Sequence, residues 1–261
     1  MKILILGDVM GSSGREALKN VQQYNNVAVG VQAAVDVTSA YGGVYIGYQA
    51  GRKCTTGRAN VIIGYQPMGS HDSISNVTAM QCVAIGEYAL RSNGASNVIG
   101  IGNEALMKAT NPGNSIAIGN RAGYGARGGQ NILLGYRAGY NDSTSNTGHN
   151  NTFIGQYTGG NLTSGIENVC IGRECARYLT TGERNVFLGK ESGGSNSGAT
   201  GIGDDNVAIG YHSSKRLTTG HTNLTLGYSS GYNSSSSNGI TTGYNNTFIG
   251  AETGNSATIS G

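Results

Sequence analysis

Tryptophan is absent from these 261 residues, phenylalanine occurs three times and proline twice. Charged residues make up 12% of the chain. That composition fits neither an ordinary globular enzyme nor a charged disordered tail. The seventeen Lys and Arg against fourteen Asp and Glu are scattered, so no basic stripe argues for nucleic acid. There are four cysteines (Cys54, Cys82, Cys170, Cys175), and the Cys170/Cys175 pair lacks a second pair or a His cluster. This excludes a zinc-type spacing, gives no sign of disulfide staples, and reads as small buried thiols. Long apolar runs are missing too. The opening Met1-Lys-Ile-Leu-Ile-Leu-Gly-Asp8 is too short for a secretory signal, and no membrane anchor is visible.

Glycine is what the chain has in excess, with 45 copies. They follow no three-residue period, which excludes collagen and suits a fold with many tight turns. Thirteen of them stand behind an aliphatic residue: Gly30, Gly47, Gly64, Gly86, Gly102, Gly119, Gly135, Gly155, Gly172, Gly189, Gly210, Gly227 and Gly250. The commonest step between them is 17 residues. One supersecondary unit is therefore copied along the chain, and copies of this kind bury their apolar face only by stacking.

Within a copy, as in Asn60-Val-Ile-Ile-Gly64 or Asn185-Val-Phe-Leu-Gly189, aliphatic residues stand one and three places before the glycine. Such period-two spacing reads as a short strand whose first and third residues face a shared core. After the glycine come two variable residues, a small one and often a second glycine, which fits a sharp corner. A weaker second strand is expected around Val37, Cys54, Leu162, Leu179 and Leu217. The expected fold is all-β: a parallel β-solenoid, a two-faced β-roll of about 13 coils packed as a homo-oligomer. Residues 1–20 are read as an N-terminal cap or attachment segment and 21–261 as the solenoid domain.

Two rows stand out. Asparagine opens the strand at Asn26, Asn60, Asn131, Asn151, Asn168, Asn185, Asn206, Asn223 and Asn246, and stacked in register these side chains can form a hydrogen-bonded ladder. The middle strand position is expected to face outward, yet it holds Tyr45, Ile62, Leu133, Phe153, Phe187 and Phe248. An outward apolar stripe implies burial against something. Either a neighbouring copy of the chain covers it, making these six an oligomer interface, or the roll covers both faces itself.

The block Asn114-Ser-Ile-Ala-Ile-Gly-Asn-Arg-Ala-Gly123 resembles the head repeats of YadA-type trimeric adhesins. Copies such as Asn150-Asn-Thr-Phe-Ile-Gly-Gln-Tyr-Thr-Gly159 are similar to repeats of bacteriophage tail fibres and other virion appendages, and the likeness covers about residues 21–261. It implies a homotrimeric β-roll on a virion or extracellular appendage, with itself, other virion proteins and a host-surface glycan or receptor as partners. The adhesin heads use a shorter repeat. The absence of a signal and an anchor favours the phage type, which is released by lysis. Four longer steps carry insertions, and loops on a solenoid often bind. The receptor-loop candidates are Ser70, His71, Asp72, Asn141, Asp142, Asn233 and Ser234.

Residues 1–19 resemble only the start of a bacterial metallophosphoesterase, in which Asp8 would be a metal ligand. A two-metal site needs further converging ligands, and the four histidines His71, His149, His212 and His221 all fall in repeat loops or corners. Asp204-Asp205 is an isolated acidic pair, whereas calcium-binding rolls place Asp in every coil. No catalytic residue, metal or cofactor is expected. The expected function is a non-enzymatic structural and adhesive segment of a phage tail fibre or similar appendage. The alternative is a self-assembling filament or surface-layer subunit stacked head to tail.

Overall fold

A computed structural model describes residues 25–69, 77–92, 94, 96–142, 146–194, 201–232 and 242–255. Residues 1–20, read as a cap or attachment segment, lie outside the described residues. Thirteen strands of three residues each occur among those described, and no helix. The chain divides into two units, Met1–Gly129 and Gln130–Gly261.

The first unit holds β1 (Val27–Val29), β2 (Val44–Ile46), β3 (Val61–Ile63), β4 (Val83–Ile85), β5 (Ile99–Ile101) and β6 (Ile116–Ile118). The second holds β7 (Ile132–Leu134), β8 (Thr152–Ile154), β9 (Val169–Ile171), β10 (Val186–Leu188), β11 (Val207–Ile209), β12 (Leu224–Leu226) and β13 (Thr247–Ile249). In each unit consecutive strands pair in parallel and without slippage. Val27 lies beside Val44 and Val44 beside Val61; Phe153 lies beside Cys170 and Cys170 beside Phe187. This is a parallel β-solenoid.

The anchor glycine ends each strand with φ between +119° and +138°. A Cβ on Gly30 would stand 2.6 Å from the carbonyl oxygen of Gly47 in the next coil, so backbone approaches backbone at this corner. Two residues later the chain turns left-handed without glycine, as at Gln49 (φ 54°), Tyr157 (φ 58°) and Glu191 (φ 56°). Each such residue costs about 1–2 kcal/mol. Axial hydrogen bonds offset it: Gln49 N donates to Val31 O at 2.9 Å and Tyr157 N to Tyr136 O at 2.9 Å. The ladder thus continues around the corner.

Two expectations are corrected. First, the inward strand residue is the middle one: Tyr45, Ile62, Leu133, Phe153 and Phe187 are buried inside their own coils. Phe248 is half-buried at the same strand position. None of the first five is an outward interface. The residues on either side of each, expected inside, point outward. Period two is present, but its phase is set by the corner, which folds its small residue and second glycine back over the middle side chain. Second, the coil's other side is not a strand ladder. Val37, Cys54, Leu162, Leu179 and Leu217 are buried there, but the backbone runs in turns, with one isolated parallel bridge, Tyr41 to Arg58, among the described residues. The turns still stack, as where Thr163 N and Thr163 Oγ1 both donate to Thr180 O at 2.9 and 3.0 Å.

Candidate functional site

The asparagine row is buried from Asn26 to Asn223 and half-buried at Asn246. In the second unit each Asn Oδ1 accepts both the backbone N–H and the Nδ2 of the next: Asn131 to Asn151 (3.0 and 3.2 Å), Asn151 to Asn168 (3.0 and 3.0 Å), Asn168 to Asn185 (3.0 and 3.0 Å). The run continues through Asn206 and Asn223 to Asn246. In the first unit Asn26 and Asn60 reach backbone: Asn26 Nδ2 donates to Ala40 O at 2.7 Å and Asn60 Nδ2 to Ala79 O at 2.8 Å. Gly43 takes the intervening rung because a Cβ there would lie 2.6 Å from the hydroxyl of Tyr45. In such a row the amides are engaged in hydrogen bonds between coils.

The outward residues of the strands make a different surface. In the first unit both outward rows, Val27 to Ile116 and Val29 to Ile118, are entirely Val or Ile. In the second unit the rows Ile132 to Thr247 and Leu134 to Ile249 are Val, Ile or Leu except Thr152 and Thr247. Ile118, Ile132, Ile171 and Leu226 are about two-fifths exposed and Ile249 is 62% exposed. No charge occurs in either face. Each face is an unbroken strip of outward side chains without a charge, the kind of exposed apolar patch that marks an interaction surface.

The corner residues after the anchor glycine carry aromatics and charges. Tyr48 stacks on Tyr65 with centroids 5.1 Å apart, and Tyr211 on Tyr228 at 5.4 Å. Glu191 gathers Lys215, His212 Nε2 at 3.0 Å, Lys190 Nζ at 3.4 Å and Arg173 at 3.9 Å. Burial alone would raise its carboxyl, but the hydrogen bond and charge of Lys215, then His212 and Lys190, outweigh that and hold it at about 2. Burial, then the charge of Lys215, lowers His212, against the opposing pull of Glu191. The pair Asp204-Asp205 is engaged: Arg184 Nε donates to Asp205 at 2.7 Å and Glu183 N to Asp204 at 2.9 Å.

All four cysteines are buried, and none forms a disulfide. Burial pushes the Cys54 thiol up, and burial with a hydrogen bond to Cys175 pushes Cys170 up, which suppresses the reactive thiolate in both. Among the described residues no group of three or more His, Cys, Asp or Glu is placed to hold a metal ion, and no helix is long and apolar enough to cross a membrane. Asp8 lies outside the described residues.

Of the loop candidates, Ser70, His71, Asp72, Asn233 and Ser234 also lie outside them. Asn141 is half-buried and donates to Leu162 O at 2.5 Å, while Asp142 is exposed. The two surfaces that sequence reasoning missed are the outward aliphatic rows and the aromatic corner. The signal for the second was present in Tyr48, Tyr65, Tyr136, Tyr211 and Tyr228, each directly after an anchor glycine.

Comparison with protein-family models, with curated proteins and with solved structures finds no match. What defines the molecule is its architecture, a parallel β-solenoid with an uncharged aliphatic sheet face in each unit.

Proposed function

We propose that this chain is a non-enzymatic structural and adhesive segment of a phage tail fibre or similar surface appendage. It assembles as a homotrimer, with the outward aliphatic rows turned toward one another and polar corners and loops presented to a host glycan or receptor. The observation that carries this reading is the pair of uncharged Val/Ile/Leu rows on each unit. A face of that kind left in water opposes solubility, and a closed symmetric assembly removes it in every copy at once. The likeness to YadA-type heads favours three copies. A structural role is further supported by how polar groups are used: the asparagines are consumed in a ladder, and Glu191, Asp204 and Asp205 are tied to neighbouring coils.

Multi-angle light scattering on the purified chain tests the assembly. A single species of about three times 26.8 kDa is the expected result. A stable monomer sinks the reading, and open-ended growth replaces it with the head-to-tail filament.

A further inference from the structure

In the second unit, the corner after β7 carries Tyr136, Arg137 and Tyr140, the corner after β8 carries Tyr157, and the corner after β9 carries Arg177 and Tyr178. The guanidinium carbon of Arg137 lies 5.0 Å from the ring centroid of Tyr140, 5.4 Å from Tyr136 and 5.7 Å from Tyr157. The rings of Tyr136 and Tyr157 meet edge to face at 5.2 Å. Arg177 extends the platform, 5.1 Å over Tyr157.

The neighbouring corner cations have carboxylate partners. Arg121 pairs with Glu104 at 2.5 Å, Arg177 with Glu174 at 3.1 Å, and Lys190 and Lys215 with Glu191. Arg137 forms no ion pair among the described residues, and its Nε is buried without a hydrogen-bond partner. Three aromatic rings surround this charge, and its Nε is left without an acceptor. A buried donor without an acceptor is unfavourable until something supplies one.

The geometry points to a binding site for a carboxylated sugar, a uronic or sialic acid unit of a surface polysaccharide, at Arg137 with Tyr136, Tyr140 and Tyr157. This rests on the adhesive reading above and gives it a ligand class. The half-exposed rings take the C–H face of a pyranose, which has an apolar body and polar rim. The planar guanidinium fork takes a carboxylate through two parallel hydrogen bonds. A neutral sugar would stack but leave the fork unmatched. A nucleic acid is disfavoured by the scattered charge and net +3 of the whole chain.

The test is calorimetric titration of the full chain with oligogalacturonate and oligosialate, with maltohexaose and oligo-dT as controls. At least one carboxylated probe is expected to bind, about ten-fold or more tightly than maltohexaose. Arg137→Gln is expected to erase that preference, and Tyr157→Ala to weaken binding of acidic and neutral probes alike. Tyr136→Ser, at an exposed position, is a second variant that spares the buried Nε, and circular dichroism checks that each remains folded. Binding of neither carboxylated probe, equal binding to Arg137→Gln, or equal binding of oligo-dT overturns the site. Light scattering stands apart: a trimer that binds no acidic sugar sinks this site alone, and a monomer that binds it sinks only the trimer.

Discussion

Phe153 and Gly159 share one space inside the coil: a Cβ on Gly159 would stand 2.5 Å from Cδ2 of the Phe153 ring. The same relation joins Phe187 to Gly193 (2.6 Å to Cδ1) and Tyr45 to Gly51 (2.6 Å to Cε1). Where the strand residue is small, a side chain fills the other place, as in Ala84 with Leu90, Gly100 with Leu106 and Cys170 with Ala176. In these coils bulk is exchanged between the two positions, whereas Ile62 and Met68 are both large and Ala117 and Gly123 both small.

This exchange predicts a compensating pair. Phe153→Ala alone is expected to destabilise by about 3–5 kcal/mol through the cavity it leaves. Gly159→Leu alone is expected to destabilise by about 1–3 kcal/mol through overpacking. Combined, they reproduce the pairing of Ala84 with Leu90, and the double variant should lose at least about 1 kcal/mol less than the sum. Urea denaturation of the four proteins reads the coupling, and strict additivity contradicts the shared space.

The repeat, the strand positions and the asparagine row were all legible in the sequence, because glycine and asparagine each have one structural reason to recur at that spacing. The phase of the strand was not. In Val44-Tyr45-Ile46 all three residues are apolar, so hydrophobicity does not say which faces the lumen. The decisive signal lay five to six residues downstream, in the small residue and glycine of the corner that fold over the middle side chain. The absent second strand has a similar cause. A single buried apolar residue per coil, such as Leu179, holds a turn in place as well as it holds a strand.

Tyr45 is fully buried, and its hydroxyl has no hydrogen-bond partner. Burial, reinforced by Cys54, raises its ionisation far above the usual range, so it stays a neutral unsatisfied donor. Removing a polar atom from such a place is favourable. Tyr45→Phe is expected to raise stability by about 1 kcal/mol and the thermal midpoint by about 2–4 °C. A lower midpoint in differential scanning calorimetry would mean the hydroxyl has an acceptor.

Asn168 bonds to the coils on both sides, accepting from Asn185 and donating to Asn151 Oδ1 at 3.0 Å and Gly182 O at 2.8 Å. Asn168→Ala strands buried groups in both neighbours, and an expected loss of about 2–4 kcal/mol follows. Asn26→Ala, which removes the backbone bonds to Ala40 O and from Gly43 N, should cost less. Equal losses in parallel denaturant titrations would argue that the ladder adds nothing beyond its individual bonds.

Glu191 gives the solenoid an acid-sensitive tie. Its folded carboxyl is held at about 2, below the ordinary 4.5, so the folded state favours the ionised form. The resulting stability is complete above about pH 4.5 and lost as pH falls through that value toward 2. After allowance for solvent screening it is on the order of 1–2 kcal/mol. Glu191→Gln should lower stability at pH 6 by that amount and flatten the difference from the parent chain near pH 2. A constant difference across this window, measured by denaturant unfolding at each pH, excludes the carboxylate as its source.

The outward rows separate folding from assembly. Ile171 points away from the coil and is 39% exposed, so Ile171→Lys should change the stability of a single chain by no more than about 0.5 kcal/mol. In a trimer closed on the aliphatic face, the same lysine enters a dry interface once per copy. Several kcal/mol of unpaired-charge burial per site then oppose association. The variant is expected to scatter light as a single folded chain where the parent forms a trimer. Thr38→Lys, an exposed position away from the strands, should leave the trimer intact. If Ile171→Lys keeps the parent mass, the aliphatic face is not what holds the copies together.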